Sequence, residues 1–224
     1  MIRAVAFDMD DTLYPERAFV FSGYRAVSEA VEAELGVPIY DELVQLFESG
    51  RRGDLFTPTL ARHQVRVEEC YVRSLVAVYR AHRPTIAPFP ETETVLRAIR
   101  RRYRTALISD GIHEVQHRKL DALGLRPHFE AVVMTGELGR EFWKPHPLPF
   151  EDCARKLAVA PAQMVYVGDN PAKDFITARS LGLRTIRVRR PGTLHFEIDL
   201  PAAQEADVTV ETLSDVLDVV ERLG

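Results

Sequence analysis

The sequence predicts an α/β fold, and two observations carry this prediction. Short apolar runs alternate with helical patterns from residue 88 onward, which is typical of parallel strands joined by crossover helices. Residues 14–87 carry helical patterns and no run with the pattern of a strand. We therefore expect a parallel sheet covered by helices on both faces, formed by residues 1–13 and 88–224, and a small all-helical domain, residues 14–87, inserted after the first strand.

The first strand is the most sharply defined element. The apolar run 4–7 is too short for a helix, and Asp8, Asp10 and Asp11 follow it at once. Residues two apart on an extended chain point to the same side, so we expect Asp8 and Asp10 to project together beyond the strand. Two carboxylates about 4 Å apart repel by roughly 4 kcal/mol at an effective dielectric of 20. Such a pair requires a divalent cation or a shared proton, unless the stretch is simply an acidic turn.

The region 14–87 is expected to contain three helices. The first has an apolar stripe that stops at Gly36, and a second short helix is expected over 41–49. A third is expected to begin with Thr57 as its N-cap and to continue, with Val67 on its apolar stripe, until Pro84. The stripe of the first helix consists of Val20, Tyr24, Val27, Val31 and Leu35.

Strands and helices alternate after a proline-rich connector at residues 84–90. The predicted strands are 105–108, 131–134, 164–167, 185–188 and 208–210, and the predicted helices are 91–102, 112–123, 150–157, 174–181 and 212–223. Polar residues stand where several of these strands end, and open parallel sheets bind ligands outside the carboxyl ends of their strands. We therefore expect a Rossmann-like core with its site at this edge.

The groups expected at this site are oxygen ligands, one hydroxyl and one cation. They are Asp8, Asp10, Ser109, Lys144, and Asp169 with Asn170. Carboxylates with open water positions favour Mg²⁺ over zinc. Mg²⁺, Lys144 and Ser109 around one point would hold a phosphate group, and a free carboxylate could attack its phosphorus. Taken singly, Ser109 could cap a helix, Lys144 could be a surface charge and residues 168–171 could form a turn. Their joint placement at strand ends favours the site.

On these residues the chain resembles the haloacid dehalogenase superfamily. The motifs similar to those of that superfamily are, in order, residues 8–12, Ser109, Lys144 with Pro145, and Gly168 with Asp169 and Asp174. The helical insertion after the first motif, and Gln116 with Lys119, resemble the class that carries a small helical cap. The true dehalogenases of the superfamily lack an acid at the position of Asp10, so its presence favours phosphate ester hydrolysis.

The resemblance implies a role for each of these residues. Asp8 would be the nucleophile, and Asp10 the general acid and then the general base, which requires a pKa nearer neutrality than that of a free aspartate. The implied Mg²⁺ ligands are Asp8, Asp169 and the main-chain carbonyl of Asp10; the phosphate binders are Thr12, Ser109, Asp110 and Lys144; the supporting residues are Asn170 and Asp174. Asp110 and His146 depart from the pattern, where Asn and Asp are usual.

We therefore expect a Mg²⁺-dependent phosphomonoesterase that works through an aspartyl-phosphate. Its substrate would be a small phosphorylated metabolite such as a nucleotide, a sugar phosphate or phosphoglycolate. The helical domain would close over the site and select the leaving group, with Tyr14, Arg17, Arg51 and Arg52 as candidate contacts. A phosphotransferase or phosphomutase of the same fold and a non-catalytic binding module are the alternatives.

The composition speaks against other classes of protein. The net charge of −4 provides no basic surface for a nucleic acid polymer. No uncharged run is long and apolar enough to span a bilayer. The two cysteines, Cys70 and Cys153, lie far apart, as expected of reduced thiols. We therefore expect a soluble cytoplasmic protein without a membrane partner.

A second metal motif gives a rival hypothesis, a zinc metallopeptidase. His113, Glu114 and His117 have the spacing His-Glu-x-x-His. The apolar positions of the same helix are expected to lie on its other side, which turns this motif away from the core. His146, beside Lys144 and Pro145, is a candidate for a direct role. The histidines expected to be surface or loop residues are His63, His82, His128 and His195.

Overall fold

The computed structural model describes residues 1–66 and 68–223. They divide into two compact units, Met1–Glu16 with Ile86–Gly224, and Arg17–Thr85. The helical unit therefore spans three residues fewer at its start and two fewer at its end than the predicted 14–87. One consequence is that Tyr14, a candidate contact of the helical domain, belongs to the α/β unit. The role of the helical unit as a cap stays a prediction.

The described residues of the α/β unit form six parallel strands. These are β1 (Ala4–Phe7), β2 (Arg104–Ser109), β3 (Ala131–Met134), β4 (Met164–Gly168), β5 (Arg184–Val188) and β6 (Val208–Val210). Their order in the sheet is β3-β2-β1-β4-β5-β6. The predicted parallel sheet is confirmed, and β1 lies at its centre, between β2 and β4.

The register of the central strands brings their carboxyl ends to the same level. Phe7 pairs with Leu107 on one side and with Val167 on the other. The main-chain N–H of Asp8 donates to the carbonyl of Val167 at 2.8 Å, which continues this pairing past the end of β1. Side chains that follow β1, β2 and β4 therefore start from one edge of the sheet.

Ten α-helices lie within the described residues. They are α1 (Glu16–Leu35), α2 (Tyr40–Glu48), α3 (Phe56–Arg62), α4 (Glu69–Ala81), α5 (Thr92–Arg100), α6 (His113–Ala122), α7 (Thr135–Leu138), α8 (Leu148–Lys156), α9 (Ile176–Ser180) and α10 (Leu213–Leu223). Short 3₁₀ helices occur at Arg126–His128, Arg140–Phe142 and Pro161–Gln163. None of these helices combines the length and the apolar character that a bilayer-spanning helix requires.

The core of the α/β unit contains small, aliphatic and aromatic side chains from the strands and from the helices that pack on them. Ala4 and Ala6 of β1 are fully buried in a cluster with Phe150 and Cys153 of α8 and Ala178 of α9. Residues two apart on a strand share a face, so this cluster occupies one face of the sheet. Helices α5 and α10 pack against each other and against β2 and β5. The sheet is thus covered on both faces, as predicted.

The prediction of one continuous third helix is wrong. The chain forms α3 and α4 instead, and α3 ends where Gln64 adopts a left-handed backbone conformation with φ of 61°. The N–H of Val65 then donates to the carbonyl of Leu60 at 3.1 Å, which satisfies an end of the helix. The periodic pattern of apolar residues continues across this break and gives no sign of it. Val67 lies outside the described residues.

The predicted N-cap of that helix is also wrong. Helix α3 begins at Phe56, so Thr57 is already helical. Its N–H donates to the Asp54 carboxylate at 3.1 Å, and Asp54 therefore supplies the acceptor for the start of the helix. The stripe of α1 is buried as predicted at Val20, Tyr24, Val27 and Val31, whereas Leu35 is exposed.

Candidate active site

A cavity of about 220 Å³ lies within the α/β unit, at the carboxyl edge of the sheet. It is lined by Asp8, Asp10, Glu16, Asp110, Trp143, Lys144, Asp169, Lys173 and His195. The strand order changes direction at β1, and ligands of open parallel sheets bind where it does. The structure therefore brings the acids that follow β1 and β4 together with the predicted lysine.

Lys144 is the fixed cation of this cavity. Its side chain is fully buried, and its Nζ donates to Asp8 Oδ1 at 2.8 Å, Asp174 Oδ1 at 2.8 Å and the Tyr166 hydroxyl at 2.7 Å. Burial lowers the pKa of Lys144, but Asp174 and Asp8 outweigh it and hold that pKa well above its ordinary value. The amine therefore stays charged although it is buried, and its three partners hold it in one position, unlike the mobile amine of a surface lysine.

Asp174 accepts a hydrogen bond from this lysine, and its carboxylate packs closely against Gly168. Its second oxygen, Oδ2, accepts the N–H of Asn170 at 2.9 Å. A Cβ atom on Gly168 would lie 2.5 Å from the same oxygen, so a larger residue there would displace Asp174. Glycine at the end of β4 thus permits the close approach on which the position of Lys144 depends.

Asp8 and Asp169 are both buried, and burial disfavours their charged forms. Burial raises the pKa of Asp8 to about 7, although Lys144 lowers it. Burial also raises the pKa of Asp169, although a hydrogen bond from His195 opposes the shift. Two neighbouring carboxylates with raised pKa values are stabilised in their charged form by a cation bound between them.

The same residues fit a divalent metal ion. Carboxylate oxygens of Asp8, Asp169 and Asp174 lie within 4.8 Å of one another. Both oxygens of Asp174 are engaged by Lys144 and by the N–H of Asn170. In the described part of the chain, Asp8 and Asp169 each keep one oxygen without a hydrogen-bond donor. Hard oxygen ligands of this kind suit a divalent cation. The Asp10 carboxylate is outside this group, and the role of its main-chain carbonyl stays a prediction.

Asp10 has the opposite electrostatic environment. Its Oδ1 accepts from Lys119 Nζ at 2.7 Å and from the Tyr14 hydroxyl, and its Oδ2 accepts from Gln116 Nε2 at 2.8 Å. Burial raises the pKa of Asp10, but Lys119, Tyr14 and Gln116 together lower it below its ordinary value. The predicted shift of Asp10 towards neutrality is therefore wrong for this state of the protein, because three donors stabilise the carboxylate.

The predicted phosphate binders occupy different environments. Ser109 is buried at the end of β2, and its Oγ accepts from Gln116 Nε2 at 2.7 Å. It caps no helix in the described residues, and α6 begins only at His113. Thr12 is fully buried, and within residues 1–66 and 68–223 its hydroxyl has no hydrogen-bond partner and does not line the cavity.

Asp110 is held by three donors. Its Oδ1 accepts from the Thr135 hydroxyl at 3.0 Å and from the N–H of Lys144 at 3.1 Å. Its Oδ2 accepts from Lys173 Nζ at 3.1 Å. Burial raises the pKa of Asp110, but Lys144 and Lys173 lower it overall. The residue is therefore an ionised side chain that ties the loop after β2 to Lys144 and Lys173.

Several residues of the site are not evident from the sequence. Gln116 and Lys119 resembled a family pattern, but nothing assigned them to Asp10. They are polar residues on the buried face of α6, beside Val115 and Leu120. Polar residues on an otherwise apolar helix face are the one sequence feature that indicates a role for them in the site. His195, expected to be a surface or loop residue, lies on a loop but contacts Asp169 Oδ2 at 2.8 Å. No pattern in its neighbourhood indicated this.

The rival zinc motif does not assemble. His117 Nε2 contacts Glu137 at 2.7 Å, and His113 Nε2 contacts its neighbour Glu114 at 3.2 Å. Neither histidine belongs to a group of metal-ligating side chains in the described residues. His146 is turned to its own loop, where its Nδ1 accepts from the N–H of Leu148 at 3.2 Å.

Comparison with known proteins identifies the family. A family model described as haloacid dehalogenase-like hydrolase matches residues 2–182. The chain belongs to this family. Glyceraldehyde 3-phosphate phosphatase of Methanopyrus kandleri is 31% identical over 238 residues, with 100% of this chain and 99% of that protein covered. Phosphoglycolate phosphatase of Neisseria meningitidis is 28% identical over 198 residues, with 84% and 80% covered.

A solved structure supports the same assignment at the level of the fold. The 2-haloacid dehalogenase of Pseudomonas syringae pv. Tomato superposes with a TM-score of 0.69, at 23% identity and with 100% of both chains covered. The curated relatives named above are phosphatases. The predicted family, the Rossmann-like fold and the predicted class of enzyme, a phosphatase, are confirmed.

Proposed function

We propose that the protein is a Mg²⁺-dependent phosphomonoesterase that acts on a small phosphorylated metabolite through an aspartyl-phosphate on Asp8. The observation that carries this proposal is the fixed contact between Lys144 Nζ and Asp8 Oδ1, 2.8 Å long, inside a cavity of carboxylates. An immobile cation beside a nucleophilic carboxylate lowers the repulsion that an anionic phosphate ester would otherwise meet. A structural ion pair would not need to face a cavity.

The cation would be held by Asp8 and Asp169, with the carbonyl of Asp10 as the further ligand that we propose. When bound, Mg²⁺ would supply positive charge beside the phosphate and the two carboxylates. Lys144, fixed by Asp174, would contact a phosphate oxygen. Ser109 would donate its hydroxyl hydrogen to another, with Thr12 and Asp110 shaping the loops around the phosphate.

In the first step an oxygen of Asp8 attacks phosphorus, and the bond from phosphorus to the ester oxygen breaks. Asp10 donates a proton to the leaving oxygen, so that an alcohol departs. In the free structure Lys119 favours the ionised form of Asp10. The negative charge of a bound phosphate would raise the pKa of Asp10 again, because like charges disfavour ionisation.

In the second step Asp10, now ionised, accepts a proton from water while that water attacks phosphorus. The bond between phosphorus and Asp8 breaks, which releases inorganic phosphate and restores the Asp8 carboxylate. Lys119, Tyr14 and Gln116 keep Asp10 ionised before this step, and so able to accept the proton, since all three donate to its carboxylate.

The size of the site supports a small substrate. The cavity of about 220 Å³ lies below the range of roughly 300–1,000 Å³ that drug-sized ligands occupy. A relative matched over 99% of its length is named for glyceraldehyde 3-phosphate, and another relative for phosphoglycolate. We therefore propose phosphate esters of two- and three-carbon compounds as the first substrates to test.

The test is the release of inorganic phosphate from a panel of esters. The panel contains glyceraldehyde 3-phosphate, phosphoglycolate, phosphoserine, hexose phosphates and nucleoside monophosphates, each with Mg²⁺, with chelator, or with Zn²⁺. We expect turnover with Mg²⁺ that chelator removes, and the highest kcat/KM among the smallest esters. When glycerol or glucose is added, water should remain the acceptor of the phosphate group. Phosphate transfer to these alcohols would instead favour a phosphotransferase, and no turnover of any ester would contradict the proposal.

A further inference from the structure

A loop after β5 brings to the cavity a histidine that the proposed steps do not use. His195 Nδ1 lies 2.8 Å from Asp169 Oδ2, and His195 Nε2 lies 3.1 Å from the side-chain nitrogen of Asn170. About a quarter of the histidine side chain, 26%, is exposed, and it lines the cavity. The imidazole therefore stands between the loop after β4 and the open space of the site.

The hydrogen bonds around Asn170 determine which ring nitrogen of His195 carries the hydrogen. The Oδ1 atom of Asn170 accepts the N–H of Ala172 at 3.0 Å, so the amide nitrogen of Asn170 faces His195. That nitrogen is a donor, and His195 Nε2 accepts from it. The hydrogen of the ring then resides on Nδ1, which donates to Asp169 Oδ2. The contact with Asp169 is thus a directed hydrogen bond.

A buried arginine fixes the backbone on both sides of this contact. Arg187 is 1% exposed, and its Nη2 donates to the carbonyl of His195 at 2.8 Å. Its Nε donates to the carbonyl of Asp169 at 3.2 Å, and its Nη1 to Glu205 Oε1 at 3.0 Å. A buried guanidinium is costly unless its donors are satisfied, so this arrangement specifies where the loop lies.

A second anchor holds the loop next to His195. The N–H of Leu194 donates to Asp11 Oδ2 at 2.7 Å, and the other oxygen of Asp11 accepts the N–H of Glu16 at 2.8 Å. Asp11 has φ of 53°, so the turn after β1 directs its carboxylate to this loop. Arg187 and Asp11 thus both hold the main chain that carries His195.

We propose that His195 is a positioning residue that orients the Asp169 carboxylate for the divalent cation, with Arg187 holding the loop that carries it. The inference rests on the proposed function, because it concerns the metal site of Asp8 and Asp169. With Oδ2 of Asp169 held by His195, Oδ1 is the oxygen left for the cation. Loss of such a hydrogen bond to a metal ligand typically weakens metal binding by about 10- to 100-fold.

The test measures metal affinity directly. Mg²⁺ is titrated calorimetrically into the metal-free wild type and into His195→Leu, His195→Asn, Asp169→Asn and His128→Gln. The amide of asparagine can replace the Nδ1–H donor, whereas leucine cannot. We expect His195→Leu to raise the Kd for Mg²⁺ by about 10- to 100-fold, and His195→Asn to stay within a few-fold of the wild type. Asp169→Asn should abolish binding. His128→Gln, the same kind of change distant from the cavity, should leave it unchanged.

Phosphatase kinetics provide a second readout. In His195→Leu the Mg²⁺ concentration for half-maximal rate should rise by the factor measured in the titration, while kcat at saturating Mg²⁺ stays within about threefold of the wild type. An unchanged or tighter Kd in His195→Leu would overturn the inference, as would a raised KM for the ester at unchanged Kd. A wild type that neither binds nor requires Mg²⁺ would overturn the proposed metal dependence itself, whatever the variants do.

Discussion

The two halves of the cavity shift the pKa of an aspartate in opposite directions. Asp8 and Asp10 stand two residues apart at the end of β1, and each contacts one lysine that approaches from a distant part of the chain. Burial raises the pKa of Asp8 to about 7. For Asp10 burial acts in the same direction, but its partners outweigh it and lower the pKa.

The difference lies in the number of donors and acids on each side. Among the described residues, Asp8 receives one side-chain donor, Lys144, which it shares with Asp174. Asp10 receives three, from Lys119, Tyr14 and Gln116. The half that holds Asp8 is therefore short of positive charge and suits a cation, whereas the half that holds Asp10 is already compensated and suits proton transfer.

The largest expected effect is that of Asp8→Asn. It removes the proposed nucleophile, so we expect phosphatase activity to fall by about 10⁴-fold or more, as when covalent catalysis is lost elsewhere. The fold should survive, because asparagine has the same shape and Lys144 keeps Asp174. Initial rates with Mg²⁺ check the first point, and near-normal activity would exclude the covalent route. Asp218→Asn, on the exposed face of α10, is the matched control.

The same variant tests the raised pKa of Asp8. An acid whose pKa is higher in the folded than in the unfolded state contributes stability that is lost as the pH rises through the folded value. For Asp8 this window runs from about pH 4 to about pH 7 in the metal-free protein. Asp8→Asn lacks this loss. Its melting temperature in chelator, measured relative to that of the wild type, should therefore rise between about pH 4 and about pH 7. A constant difference over this range would argue against the shift.

The next largest effect is expected of Lys119→Met, which removes a donor from the half of the cavity that holds Asp10. Without Lys119, burial would dominate and the pKa of Asp10 would rise. In the proposed second step Asp10 must be ionised to accept a proton from water, so the acidic limb of the pH–kcat profile should move to higher pH. We expect kcat at pH 7 to fall by about 100-fold, the lower end of typical acid–base contributions. Lys156→Met, which affects a partner of Asp152 on α8, should leave the profile in place.

The contrast between the two halves also shows what the sequence could reveal. The strands and their polar ends were predictable, because β1 and β4 are short apolar runs that stop at Asp8 and at Gly168 with Asp169. Parallel pairing then brings these ends to one edge. The pKa directions were not predictable, since that of Asp10 depends on Lys119, 109 residues away. A local pattern carries no information about such a contact.

Two further errors have different origins, one in a non-local contact and one in the local backbone. His195 contacts Asp169 only because Arg187 and Asp11 hold its loop, and neither of these residues has a sequence pattern that indicates this function. The break between α3 and α4 depends on one residue, Gln64, in a left-handed conformation inside a continuing apolar pattern. Periodicity predicts the face of a helix more reliably than its ends.

A smaller effect is expected of Asp110→Asn, which adjusts the charge on the Lys144 side. Asparagine can still accept from Thr135 and from the N–H of Lys144, but the ion pair with Lys173 is lost. The cavity then carries one negative charge fewer. We expect KM for an anionic ester to fall by about two- to tenfold at low salt, with kcat nearly unchanged, because partly exposed ion pairs contribute about 1 kcal/mol.

A second substitution shows whether Lys173 carries that effect. In Asp110→Asn combined with Lys173→Met, the charge of the pair is removed altogether, and KM should return towards the wild-type value. If KM stays low in the double variant, the lost carboxylate acts by itself, and the pairing of Asp110 with Lys173 has no part in substrate binding.

Small effects of the same order or less are expected of the two tyrosines, one in each half. Tyr14 donates to Asp10, whereas the Tyr166 hydroxyl accepts from Lys144 at 2.7 Å. Tyr14→Phe removes one of three donors to Asp10, so we expect a two- to tenfold loss of kcat, about 1 kcal/mol, and a small upward shift of the acidic limb. Tyr166→Phe leaves Lys144 with two carboxylates, so activity should change less than twofold. Because both changes delete only a hydroxyl, equal shifts of the pH profile would mean that the two halves are not electrostatically distinct.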